Sequence, residues 1–123
     1  KIVAYAKQYE TAFNELDSQI KTYDEELTTL KAKKQSLETT LAQQQTAIEA
    51  DRRKLETLRS SDPEQYNQLV PQYNAKIQSY NANIVAVKQA VTDYNKIVEK
   101  RNTLASTQND LVKQLDSSYK PLE

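Results

Sequence analysis

The chain has 123 residues, seventeen Lys or Arg against seventeen Asp or Glu, and no Gly, Cys, Met, Trp or His. Without Gly, tight turns and left-handed helix caps are scarce, which argues against a compact sheet or a nucleotide-binding α/β fold. The charges balance within each half as well, so the basic excess of a nucleic-acid binder is missing, and no apolar run of about 18 residues exists to span a membrane.

Residues 2–58 carry one heptad frame, written abcdefg with apolar residues at a and d. The a column is Ala6, Phe13, Ile20, Leu27, Lys34, Leu41, Ile48 and Leu55; the d column is Ile2, Tyr9, Leu16, Tyr23, Leu30, Leu37, Gln44, Asp51 and Leu58. Only Lys34, Gln44 and Asp51 are neither apolar nor aromatic. No Pro or Gly interrupts the run, so the frame predicts a first long helix over 1–60. At 1.5 Å per residue such a helix is roughly 85 Å long, too long for the inside of a domain this size. It must bury its stripe against a partner helix. The charge blocks Asp24-Glu25-Glu26 and Arg52-Arg53-Lys54 fall outside the stripe and read as solvated faces, with Glu49 and Arg53 spaced to pair.

Ser60-Ser61-Asp62-Pro63-Glu64-Gln65 breaks the pattern. Asp62 is placed to cap a second helix, with Pro63 at its first position and Gln65 three residues after the cap. Pro71 lacks an N–H and disfavours helical angles at Val70. We therefore expect a two-step corner over 61–70, containing a short helical turn, and a second long helix over 71–118. Residues 119–123 read as a tail, with Leu122-Glu123 as cloning residue; the start on Lys1 without Met predicts a fragment of a longer protein.

In the second helix a Tyr-Asn pair recurs every seven residues: Tyr66-Asn67, Tyr73-Asn74, Tyr80-Asn81 and, after a gap at Val87-Lys88, Tyr94-Asn95. Val70, Ile77, Ile84, Val91, Val98, Ala105 and Val112 follow four residues after each Tyr or its stand-in, which makes them a and the Tyr column d. The e column is Asn67, Asn74, Asn81, Lys88, Asn95, Asn102, Asn109 and Asp116, although Asn is a poor helix former. It reads as a neutral flank beside the seam. The g column is polar at Lys76 and Asn83 and apolar at Ile97, Leu104 and Leu111.

Two helices of matching length joined by a short polar link should fold back antiparallel. The fold class expected is all-α: an elongated antiparallel two-helix coiled-coil hairpin, able to pair with a second copy as a four-helix bundle. Setting a against d makes facing residue numbers sum to 128, as in Leu55 with Tyr73, Leu30 with Val98 and Tyr23 with Ala105. A sum of 121 is the second choice; it needs a tighter turn and a tolerated Pro71. In the preferred register Lys34 lies near Tyr94 and Arg101 near Leu27, their stems covering the seam.

Chemistry is scarce. Ser-His and Cys-His nucleophiles, His/Cys zinc sites and Gly-rich phosphate loops all need residues the chain lacks. Paired carboxylates such as Glu25 with Glu26 have nothing to bury them or tune their acidity. A Tyr platform for nucleic acid or carbohydrate is disfavoured, because these Tyr sit at core positions beside Asn rather than Lys or Arg. No catalytic, cofactor-binding or metal residues are expected, and no cofactor.

Residues 56–112 resemble a segment of bacterial membrane-anchored envelope proteins of the matrixin-like metalloprotease type. The shared features are the Pro-containing corner Asp62-Pro63-Glu64-Gln65-Tyr66, Tyr73-Asn74, Tyr80-Asn81, Tyr94-Asn95-Lys96-Ile97-Val98 and Arg101-Asn102-Thr103-Leu104-Ala105. The resemblance covers about half the chain and implies a spacer outside the cytoplasmic membrane. The zinc motif of such proteins is absent, so no catalytic residue carries over.

The function expected is therefore a non-catalytic spacer or oligomerisation arm of a larger, envelope-type protein. Its partner would be protein, either a second copy or another helix, not nucleic acid, and this segment would not itself insert in a membrane. One alternative is a binding module that docks a helix on the strip Ile97, Leu104 and Leu111. Another is an accessory region of an enzyme whose catalytic domain lies elsewhere.

Overall fold

The chain reverses at a single residue. In the computed structural model, which describes the backbone of residues 2–118 and side chains from 7 to 115, helix α1 spans Ile2–Ser61 and helix α2 spans Pro63–Ser118. The two helices pack against each other as an all-α helical hairpin, with no strand among the described residues.

Asp62 joins the helices, and local chemistry explains why. The ring of Pro63 disfavours helical angles at the residue before it, so α1 must stop there, while its fixed φ suits the first position of a new helix. Asp62 serves both sides of the break. Its N–H donates to the Leu58 carbonyl at 2.9 Å, its carbonyl accepts from the Tyr66 N–H at 3.0 Å, and its Oδ1 accepts from the Gln65 N–H at 3.2 Å. The cap expected from the sequence is formed.

The corner itself is shorter than expected. Residues 63–70, assigned to a two-step corner, are the first turns of α2, and Pro71 lies inside the helix. Its side chain is exposed, as is that of Asn67, whose carbonyl loses the N–H four residues on. A carbonyl on the outer face can be hydrated instead. Leu69, Val70 and Tyr73 are half-buried, so packing of this stretch offsets the proline. The described part of α2 runs to Ser118, and the expected tail 119–123 lies outside the described residues.

The hairpin divides into two compact units, Lys31–Thr92 and Lys1–Leu30 with Asp93–Glu123. In the unit that holds the corner, α1 buries or half-buries Leu37, Leu41, Gln44, Ile48, Asp51, Leu55 and Leu58, which are a and d positions of the expected frame. Leu55 and Ala90 are the buried apolar side chains of this unit. In the other unit the α1 face is Leu16, Ile20, Tyr23, Leu27 and Leu30, with Ile20 buried. Lys34 and Phe13 are the a positions that stay exposed. The side chains of Ile2, Ala6 and Asp116 lie outside the described set.

Helix α2 departs from its frame. The d column is half-buried from Tyr66 to Leu115. In the a column Val70, Ile77, Ile84, Val98 and Ala105 are half-buried, but Val91 and Val112 are exposed, the latter at 41%. The g column is drawn in as well: Leu69 and Asn83 are half-buried, Ala90 is 3% exposed, and Ile97, Leu104 and Leu111 are half-buried.

This change of face goes with a corrected register. In the corner unit Gln44 bonds to both Ser79 and Asn83, and Asp51 to Lys76; in the other unit Tyr9 bonds to Gln114 and Asp24 to Arg101. These pairs sum to between 123 and 127, short of the expected 128 and above the alternative 121. The cause is the corner. A chain that reverses on residue 62 sets facing residues to sum to twice that number, 124. With α1 packing through a and d, that sum calls for d and g on α2, not a and d.

Thr is a poor helix former, and both helices are rich in it. Its hydroxyls are absorbed locally: Thr11, Thr29, Thr57, Thr92 and Thr107, among others, donate to the carbonyl four residues back at 2.9–3.2 Å.

Candidate functional site

The polar residues of the α1 stripe read from the sequence as exceptions are where cross-helix polar contacts concentrate. Gln44 donates through Nε2 to Ser79 Oγ at 3.0 Å and accepts at Oε1 from Asn83 Nδ2 at 3.0 Å. Asp51, whose side chain is 15% exposed, accepts from Lys76 Nζ at 2.7 Å. Both polar g positions of α2, Lys76 and Asn83, thereby find partners on α1. A half-buried polar group left unpaired is costly, so these contacts penalise sliding of one helix past the other. They hold position and offer no reactive group.

In the other unit Arg101 Nε donates to Asp24 Oδ1 at 2.6 Å. The hydrogen bond and the charge of Asp24 raise the guanidinium above its usual value, so Arg101 is cationic at any accessible pH. Its expected place beside Leu27 with its head in water becomes an ion pair one turn away. Lys34 pairs with Glu38 on its own helix at 3.3 Å, and Lys21 with Asp17 at 3.1 Å. The spacing of Glu49 and Arg53 produces no such pair. The side-chain nitrogen of Gln108, at d, is buried without a hydrogen-bond partner.

Open grooves flank the helices among the described residues, in both units. One, about 620 Å³, has Leu30 and Ile97 at its floor and Glu25, Glu26, Lys96 and Lys100 on its walls. Another, about 400 Å³, is formed around Ile48, Ile77 and Tyr80 in the corner unit. The charged walls of the first are exposed. Among the described residues no group of three Asp, Glu, His or Cys could hold a metal ion, and no helix is long and apolar enough to cross a membrane.

The strip expected to dock a partner sits differently from a free surface. Ile97, Leu104 and Leu111 share the column of Ala90 and are half-buried, and Ile97 lines a groove with Leu30 of α1. The apolar positions left more open are Val85, 65% exposed at a b position, together with Val91 and Val112. The signal for the coverage of Ile97, Leu104 and Leu111 was present in the g column, which turns from polar to apolar after Asn83.

The six Asn of the e column, Asn67, Asn74, Asn81, Asn95, Asn102 and Asn109, are all exposed. Comparison with protein-family models, curated proteins and solved structures finds no match to this chain.

Proposed function

We propose that this hairpin is a non-catalytic coiled-coil arm, a spacer or oligomerisation element of a larger protein. The observation that carries the proposal is the use made of the polar side chains. Where they enter the packed face, Gln44, Asp51 and Arg101 are engaged in holding one helix to the other. None is gathered with others around an enclosed cavity where a substrate could be desolvated. The three- and four-residue recurrence of burial along both helices supports the coiled-coil description. The resemblance of residues 56–112 to envelope-protein segments supports a place outside the cytoplasmic membrane.

Matched deletions in the full-length protein test the spacer role. Removing residues 45–51 together with 73–79 takes one heptad from each helix and keeps the facing pairs in register. A spacer loses function gradually with each heptad removed, whichever heptads are chosen, and the shortened hairpin stays helical. Complete loss on removing one particular heptad, with neighbours dispensable, would contradict the proposal.

A further inference from the structure

We infer that the corner unit holds a second register in reserve, one helical turn away, and that Gln44 and Asp51 latch the register it occupies. This device goes beyond the spacer role and does not depend on it.

The d column of α2 can share the packed face with either neighbouring column, g or a, and in the corner unit both are covered. Leu69, Asn83 and Ala90 of g, and Val70, Ile77 and Ile84 of a, are half-buried or buried. Reversal at Asp62, with facing numbers near 124, sets Leu55 against Leu69 and Leu37 against Val87. It also sets Ile48 against Lys76 and Leu41 against Asn83. Sliding α2 four residues toward the corner, about 6 Å, raises the facing sum to 128. Leu55 then meets Tyr73, Ile48 meets Tyr80, Leu41 meets Val87 and Leu37 meets Val91, all apolar or aromatic pairs. The slide covers Val91, now 36% exposed, and moves Lys76 and Asn83 to the edge of the seam. The sum of 128, which the fold does not adopt, thereby describes a state one turn away.

What opposes the slide is polar. Gln44 has Ser79 and Asn83 as partners at 3.0 Å, and Asp51 has Lys76 at 2.7 Å. In the slid register Gln44 and Asp51 face Ile84 and Ile77, whose side chains offer no hydrogen bond. Ser79 moves a full turn away from Gln44.

The corner is suited to release that turn. The slide draws residues from the start of α2 into the corner, which unwinds them. Pro71 already deprives the Asn67 carbonyl of its helical partner. Unwinding through Asn67 leaves Pro71 in the first turn of a shortened α2, where its N–H would have no partner in any case. The cost of the interior proline disappears in the slid state and offsets part of the lost turn.

Disulfide trapping within the corner unit of the whole chain tests the device. With Leu37→Cys held constant, Val87→Cys makes a pair that sums to 124 and Val91→Cys one that sums to 128. An offset of one turn puts the second pair out of disulfide reach unless the helix moves. The first pair should close rapidly, and the second fully but at least tenfold more slowly. Gln44→Leu/Asp51→Leu should reverse that order, and Pro71→Ala should slow the second pair. Once closed, the Leu37→Cys/Val91→Cys chain should exchange the amide hydrogens of residues 66–69 at least tenfold faster than its reduced form, because their carbonyl partners lie in the unwound turn. The device is overturned by a second pair that never closes or that Pro71→Ala does not slow, by an order that survives Gln44→Leu/Asp51→Leu, or by unchanged exchange at 66–69. If circular dichroism shows that Gln44→Leu/Asp51→Leu loses helicity, closure and exchange with Gln44 and Asp51 in place decide alone. Matched heptad deletions bear on the spacer role, and their failure would leave this device intact.

Discussion

The first and last turns of α2 carry the same seven-residue repeat and cover its a column differently. From Val70 to Ile84 the a column is half-buried, beside a g column holding Lys76 and Asn83. From Ala90 onward the g column is covered throughout, while the a column is half-buried at Val98 and Ala105 and open at Val91 and Val112. The pitch of the repeat does not decide between these faces, because three-four spacing occurs between a and d and equally between d and g. The choice falls to the chemistry of the g side chains and to where the chain reverses. A polar g residue enters the packed face only with a partner, as Asn83 has in Gln44, whereas Ala90 enters with none.

Substitutions that separate the two faces sharpen this comparison. Leu55→Ala removes a buried anchor and should cost about 2–5 kcal/mol in a urea titration followed by circular dichroism. Pro71→Ala restores the missing N–H to the Asn67 carbonyl and should stabilise the hairpin by up to about 3 kcal/mol, the cost of an interior proline. A loss of stability there would mean that α2 depends on the proline. Ala90→Leu overfills the covered column and should cost about 1–3 kcal/mol, read as a lower thermal midpoint. Its neighbour Val91→Ala faces outward and should change stability by no more than about 0.5 kcal/mol. Equal effects at 90 and 91 would erase the distinction between the two columns. Asp62→Ala removes the cap on the Gln65 N–H and should cost about 1 kcal/mol, leaving helix content unchanged.

Much of the fold was legible in the residues. The α1 frame from Leu16 to Leu58 matches its buried face, with Lys34 as the exception, because a single apolar stripe leaves a helix only one face to bury. The cap at Asp62 was legible too, since Asp before Pro satisfies two local rules at once. The register was not. Pro71 made a longer corner reasonable, and a corner centred near 64 instead of 62 moves the facing sum from 124 to 128. Whether a helix tolerates an interior proline depends on how firmly Leu69, Val70 and Tyr73 pack, which local preference does not contain. The strip Ile97, Leu104 and Leu111 was legible as an added apolar column, and its residues are half-buried. Which of two adjacent columns faces α1 follows from the register, so one displaced corner carried over to the choice of face.

Disulfide trapping tests the register most directly, and the absence of native Cys makes it clean. Two double variants would be oxidised side by side: Leu27→Cys/Ile97→Cys, which sums to 124, and Leu30→Cys/Val98→Cys, which sums to 128. The account predicts rapid intramolecular closure of the first and little of the second. Preferential closure of the Leu30→Cys/Val98→Cys pair would show that α2 packs through its a column there and would contradict it.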